Sequence, residues 1–143
     1  MQFSTRTTIE AAPDHVWRIL TDLPAWTTWN TTVTSTEGTV ALGNKVTVAV
    51  TANPGRAFAV KVAELAPPTR MVWRGGMPLG LFRGTRTYAL TAVGDTTEFA
   101  MDEVYTGPMA SMVTRSIPDL QPSFDEFAAC LKATAESAAG GAR

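Results

Sequence analysis

Apolar and polar residues alternate along two neighbouring stretches, residues 82–90 and 97–105, which flank Val93-Gly94-Asp95-Thr96. A period of two is strand spacing, and a Gly-Asp pair between two such runs signals a tight hairpin. With Gly94-Asp95 as a two-residue loop, Leu90 faces Phe99, Tyr88 faces Met101 and Arg86 faces Glu103, all on one face. The opposite face carries Thr85, Thr87, Ala89, Thr91, Glu98, Ala100 and Asp102, mostly small or polar. The charged pair Arg86–Glu103 therefore falls on the side expected to be covered. A solvated cross-strand ion pair is the alternative, but water ordinarily meets the more polar face, so the inward placement is favoured.

The same alternation places strands elsewhere. Val46, Val48 and Val50 alternate with Lys45, Thr47 and Ala49, and Phe58, Val60 and Val62 alternate with Ala59, Lys61 and Ala63. Asn53-Pro54-Gly55 supplies the turn between those two runs. Further strands are predicted at 3–10, 33–37 and 71–75. Near the start, Pro13 suits a first helical turn and Asp14 its positive end. Val16, Ile19 and Leu20 then form an apolar stripe opposite His15, Arg18 and Asp22. That helix ends by Pro24, and residues 24–30 (PAWTTWN) form a second short helix or a tight turn. After Gly107 the spacing becomes helical: Leu120, Phe124, Phe127 and Leu131 recur on one stripe, predicting a helix near 119–137 behind an irregular lead-in broken at Ile117-Pro118. The result is an α+β chain in which one long helix covers an antiparallel sheet, a single domain over residues 1–139 with a tail at 140–143 expected to fray.

Charge and composition narrow the function classes. The 143 residues are 45% hydrophobic and 17% charged, the balance of one globular domain. A net charge of −1 without a basic block argues against nucleic acid or an anionic membrane as an electrostatic partner. The single cysteine, Cys130, allows neither an internal disulfide nor a cysteine-rich zinc site, and it reads as a helix-face residue. No metal-ligand spacing and no phosphate-cradling glycine motif is present, so no metal or cofactor is expected. Without a signal-peptide pattern or an apolar run of membrane-spanning length, a cytoplasmic monomer or weak homodimer is expected.

The order of elements and several motifs resemble the START-like (SRPBCC) superfamily, and within it the polyketide cyclase/dehydrase group. The matching segments are IEAAPDHVWRILTDLPAWTTWN at 9–30, PTRMVWRGG at 68–76, GLFRGTRTYAL with TTEFAMDEVYTG at 80–107, and FDEFAACLKATAE at 124–136. The resemblance implies a helix-grip fold: a curved antiparallel β-sheet wrapped around a long C-terminal α-helix, enclosing an apolar cavity. Members use that cavity to bind lipids, polyketides and other hydrophobic small molecules, and some cyclise or dehydrate them there. One departure matters. Many members of the group carry a histidine in a Gly-x-His-x-aromatic pattern where this chain has Gly84-Thr85-Arg86-Thr87-Tyr88. The only histidine, His15, lies on the polar stripe of the first helix. A nearly permanent cation thus replaces a group that titrates near neutral pH.

On this reading Glu103 is the candidate base, Arg86 the stabiliser of an enolate or carboxylate oxygen, and Tyr88 either a hydroxyl that orients a ligand oxygen or an ordinary core residue with a satisfied hydroxyl. The alternative is that Arg86 and Glu103 simply neutralise each other and fix the hairpin. Trp26 and Trp29 either line the cavity mouth or anchor the core. Arg74 faces inward if the pairing registers stay regular; otherwise Trp73 takes the covered position. Met77 and Leu81, on a glycine-rich loop at 75–81, belong either to a gate or to a plain strand connection, and Met112 to an adaptable cavity end or plain packing. Phe99, Met101 and Phe124 complete the expected ligand-binding set. Two functions follow: binding of a hydrophobic small molecule, or cyclase/dehydratase chemistry in the same cavity. A protein–protein module is a third, weaker reading.

Overall fold

The structure, a computed structural model, describes residues 2–141. Seven strands make one antiparallel sheet: β1 (Gln2–Ile9), β2 (Val33–Glu37), β3 (Lys45–Val50), β4 (Ala57–Ala66), β5 (Arg70–Gly76), β6 (Arg83–Val93) and β7 (Thr96–Thr106). Their spatial order is β1-β7-β6-β5-β4-β3-β2. Two helices, α1 (Pro13–Thr21) and α2 (Trp26–Trp29), fill the crossover between β1 and β2. Two more, α3 (Ala110–Thr114) and α4 (Gln121–Gly141), follow β7. This is the helix-grip arrangement, a curled half-barrel closed by α4.

The β6–β7 hairpin closes as its sequence dictates. Val93 pairs with Thr96, leaving Gly94-Asp95 as the two-residue loop, and Gly94 takes a positive φ of 60°. Register then puts Leu90 opposite Phe99, Tyr88 opposite Met101 and Arg86 opposite Glu103. Tyr88, Leu90, Phe99 and Met101 are buried, so this row faces the core. Register shifts between Val33 and Ser35 on β2 and between Val62 and Glu64 on β4 bend the sheet. The curvature lets the concave side wrap α4, whose Phe124, Phe127, Ala128, Leu131 and Ala135 form one buried stripe.

Three details differ from the sequence expectation. The long helix begins at Gln121, where the Leu120 carbonyl accepts the first helical bond from the Phe124 N–H at 2.9 Å and Asp119 Oδ1 accepts the Gln121 backbone N–H at 3.0 Å. The lead-in expected to be irregular contains the short helix α3. Gly140 and Gly141 complete α4, while residues 142 and 143 of the tail expected to fray lie outside the described residues.

The connection from β5 to β6 is fastened to the chain after β7. The Met109 N–H donates to the Leu81 carbonyl at 2.9 Å. Gly107, at φ 107°, lies so close that a Cβ there would sit 2.7 Å from the Leu81 carbonyl oxygen and 2.8 Å from that of Gly80. Gly107→Ala is therefore expected to destabilise the fold by about 1–3 kcal/mol through backbone strain and contact with those carbonyls. Urea denaturation measures it, and a loss below about 0.5 kcal/mol would show that the contact yields freely.

Candidate functional site: a charged pair on an aromatic wall

Arg86 and Glu103 meet on the concave side, close to the sheet end formed by the 77–82 connection and α3. Arg86 Nε donates to Glu103 Oε1 at 3.2 Å and Nη2 donates to Oε2 at 3.4 Å. Tyr105 Oη donates a short bond of 2.6 Å to the same Oε2. Both carboxylate oxygens are thus engaged. The guanidinium carbon also sits 4.8 Å from the centre of the Phe124 ring, within cation–π range. The two charged side chains are 20% and 15% exposed, which leaves solvent a narrow approach.

Tyr105 belongs to this site, although the sequence reading omitted it. The signal was available: alternation that turns Phe99, Met101 and Glu103 inward turns Tyr105 inward next. Its register partner is Gly84, where the absence of a side chain lets the Tyr105 ring lie across β6. Phe82 stacks on that ring at 5.7 Å and 14°, and Phe3 meets its edge at 6.3 Å. The phenol is thereby aimed at Glu103.

Electrostatics make the tyrosines donors. Burial opposes the charge of Arg86, but the Glu103 carboxylate and the neighbouring Tyr88 outweigh it, holding the guanidinium above its ordinary range. Burial pushes Tyr88 up to about 12 against the opposing pull of Arg86. Burial, then the negative charge of Glu103, raises Tyr105. Both phenols therefore keep their protons near neutral pH.

Behind the charged pair the interior is aromatic. Trp73 stacks on Trp26 at 5.6 Å and 21°, and its ring lies 5.1 Å from Tyr88. Phe127 of α4 touches Trp26, Trp29, Tyr88 and Phe99, with centroids 5.2–6.1 Å away. Trp26 is fully buried and donates its indole N–H to the Leu20 carbonyl at 3.0 Å, so it takes the core-anchoring alternative. Trp29 is half-buried beside it and lines a groove of about 260 Å³ with His15, Arg18, Ile19 and Asp22. A second concavity of about 490 Å³ lies between Thr34, Thr51 and Arg56. Neither groove includes Arg86 or Glu103.

The structure corrects two of the expected ligand contacts. Arg74 points to the outer face, where its guanidinium lies 3.7 Å from Glu64. Trp73 is the register partner of Arg86 and takes the inward position, so alternation turns Arg74 away. Met112 is 62% exposed on α3 and does not line the interior. Met77 and Leu81 are exposed at the rim, flanking Leu79, which is 96% exposed in a left-handed conformation at φ 61°. Phe99, Met101 and Phe124 are buried as expected. Among the described residues, no group of three or more His, Cys, Asp or Glu could hold a metal ion, and no helix is long and apolar enough to cross a membrane.

The sequence model of the family described as polyketide cyclase/dehydrase and lipid transport matches residues 1–136. No curated protein matches the chain in sequence. Among solved structures, the Zhui aromatase/cyclase from Streptomyces sp. R1128 superposes with a TM-score of 0.74 at 12% identity, covering 97% of this chain and 95% of its own. A START superfamily protein from Mycobacterium smegmatis gives 0.70 at 16% identity, covering 96% and 98%. The Aha1 dimer from Colwellia psychrerythraea gives 0.71 at 19% identity, covering 95% and 96%. At these identities the likeness is one of fold.

Proposed function

Starting from the polyketide cyclase/dehydrase and lipid transport family, to which the chain belongs, we propose that this protein binds a hydrophobic small molecule, polyketide-, lipid- or aromatic-metabolite-like, against the concave aromatic wall of its sheet. One observation supports binding over catalysis most directly: both oxygens of Glu103 are already engaged, by Arg86 and by Tyr105. Three donors occupy three of the roughly four acceptor positions of the carboxylate, which leaves little of it for a substrate proton. Here the carboxylate is neutralised and hydrogen-bonded, and the nearby phenols hold their protons. The protein is taken as a cytoplasmic monomer or weak homodimer that requires no cofactor.

Native mass spectrometry of freshly purified protein is the direct test, with a co-purifying small molecule as the expected result. A cyclase reading retains one observation in its favour. The 2.6 Å bond from Tyr105 to Glu103 could relay a proton if a substrate displaced Arg86 from the carboxylate. Glu103→Gln separates the two. The amide oxygen can still accept from Tyr105 and from Arg86 Nη2, while the Arg86 Nε bond is lost, so in a variant shown to be folded binding predicts affinity for the co-purified molecule within about threefold of wild type, a shift below the worth of one ordinary hydrogen bond. Time-dependent conversion of that molecule by wild type, falling about 10²–10⁴-fold in the variant, would establish catalysis instead.

A further inference from the structure

Five of the eight large apolar side chains that the described residues expose gather at one end of the sheet. They are Phe58 near the start of β4, Met77, Leu79 and Leu81 on the connection from β5 to β6, and Met112 on α3. Backbone contacts bring these segments together. Gly76 is the register partner of Arg83, which in turn faces Thr106. The Met109 bond to the Leu81 carbonyl draws α3 alongside the 77–82 connection. Gly75 sits so close to β4 that a Cβ there would lie 2.9 Å from Val60 Cγ1, which sets Phe58 at the same end. Single exposed apolar residues need no explanation, but a cluster of them marks a contact surface.

Leu79 stands at the tip of this cluster. The Met77 N–H donates to the Phe82 carbonyl at 2.9 Å and closes the connection beneath it. The left-handed backbone of Leu79 is one that glycine takes freely and leucine only at a cost. Water also meets nearly the whole of its side chain. Both features disfavour the residue in the free protein, and burial against a partner relieves the second.

The charge around the cluster has one sign. Arg56, Arg83 and Arg115 are exposed and form no ion pair among the described residues. The connections at 51–56, 77–82 and 107–120 contain one acidic residue, Asp119, whose carboxylate accepts the Gln121 N–H. Net charge and the lack of a basic block argue against an anionic membrane only as averages along the chain. The fold assembles a basic patch from three separate connections.

We propose that this end of the protein docks peripherally on an anionic lipid bilayer. Leu79 and Met112 enter the boundary between headgroups and acyl chains, and Arg56, Arg83 and Arg115 meet the lipid phosphates. Nothing here spans the bilayer, since no helix among the described residues is long and apolar enough to do so. A second copy of the chain fits the face poorly, because a twofold contact through it would press like-charged arginines together. The proposal is independent of any molecule held inside, so its failure leaves the hydrophobic-ligand reading untouched.

Flotation of the full-length protein with vesicles tests it, using phosphatidylcholine alone or with about 30% phosphatidylglycerol. Binding to the anionic vesicles is expected to be at least about tenfold tighter than to the neutral ones, and to be lost at about 0.5 M salt. Leu79→Gly is expected to weaken vesicle binding about threefold to tenfold while the thermal midpoint holds, because glycine suits that backbone. The double variant Arg83→Gln/Arg115→Gln is expected to weaken binding to the anionic vesicles about tenfold or more. Val93→Ser, in an exposed position on the β6–β7 hairpin at the opposite end, should leave binding unchanged. No flotation with anionic vesicles, equal flotation with both kinds, or a Leu79→Gly protein that binds like wild type would overturn the proposal. Self-association in sedimentation that Leu79→Gly abolishes would give the face to a second copy and overturn it as well.

Discussion

Phe127→Ala is expected to lower the free energy of unfolding by about 3–5 kcal/mol. The ring is 2% exposed and is shared among four other aromatic residues: Trp26, Trp29, Tyr88 and Phe99. Truncation removes the transfer contribution of the ring and leaves a cavity whose walls are stiff and cannot collapse easily onto α4. Phe127 also joins three parts of the fold, the α2 tryptophans, the β6–β7 hairpin and the long helix, so the loss should appear as reduced global stability. Equilibrium denaturation by urea, followed by tryptophan fluorescence and far-UV circular dichroism together, measures it. A loss below about 1 kcal/mol, or two probes that separate into different transitions, would contradict this placement.

Arg86→Met is expected to cost about 2–4 kcal/mol, somewhat less than removal of one partner from a fully buried pair, because the site is partly open to water. Methionine roughly retains the aliphatic volume but leaves Glu103 with only the Tyr105 hydroxyl as a donor. The penalty comes chiefly from that stranded carboxylate. The double variant Arg86→Met/Glu103→Gln removes the stranded charge while keeping an acceptor for Tyr105, and it should recover at least half of the loss. Thermal or urea denaturation of the two single variants and the double variant closes the cycle. Additive losses would show that the two side chains do not act as a pair, and a loss in Arg86→Met below about 0.5 kcal/mol would place the pair among ordinary surface contacts.

The sheet was legible because its information is local. Alternation through Tyr88, Arg86, Met101 and Glu103, with Gly94-Asp95 between the strands, fixes register, turn and facing together. The helical stripe of Phe124, Phe127 and Leu131 was equally plain. The Arg74 placement was less so, because the Gly-rich stretch between Trp73 and Arg86 hides how β5 aligns with β6. The pairing of Trp73 with Arg86 settles the face. Tyr105 could have been found by carrying the alternation one step further. Its bond to Glu103 depends on how the ring crosses Gly84, a contact between strands that no single segment displays. The fates of Trp26 and Trp29 depend on how the β1–β2 crossover docks on α4, which neighbouring residues alone do not encode.

The tie between the 77–82 connection and the chain after β7 bears on timing. The Met109 bond to the Leu81 carbonyl and the close seat of Gly107 couple these two segments. If the proposed ligand passes at that end, the two segments are expected to part together rather than as independent flaps. Such a barrier slows entry and exit alike and leaves the equilibrium constant untouched. Gly107 variants that remain folded should therefore speed exchange in stopped-flow measurements while affinity holds. On the binding reading proposed above, this clasp is expected to set the residence time of a guest rather than its affinity.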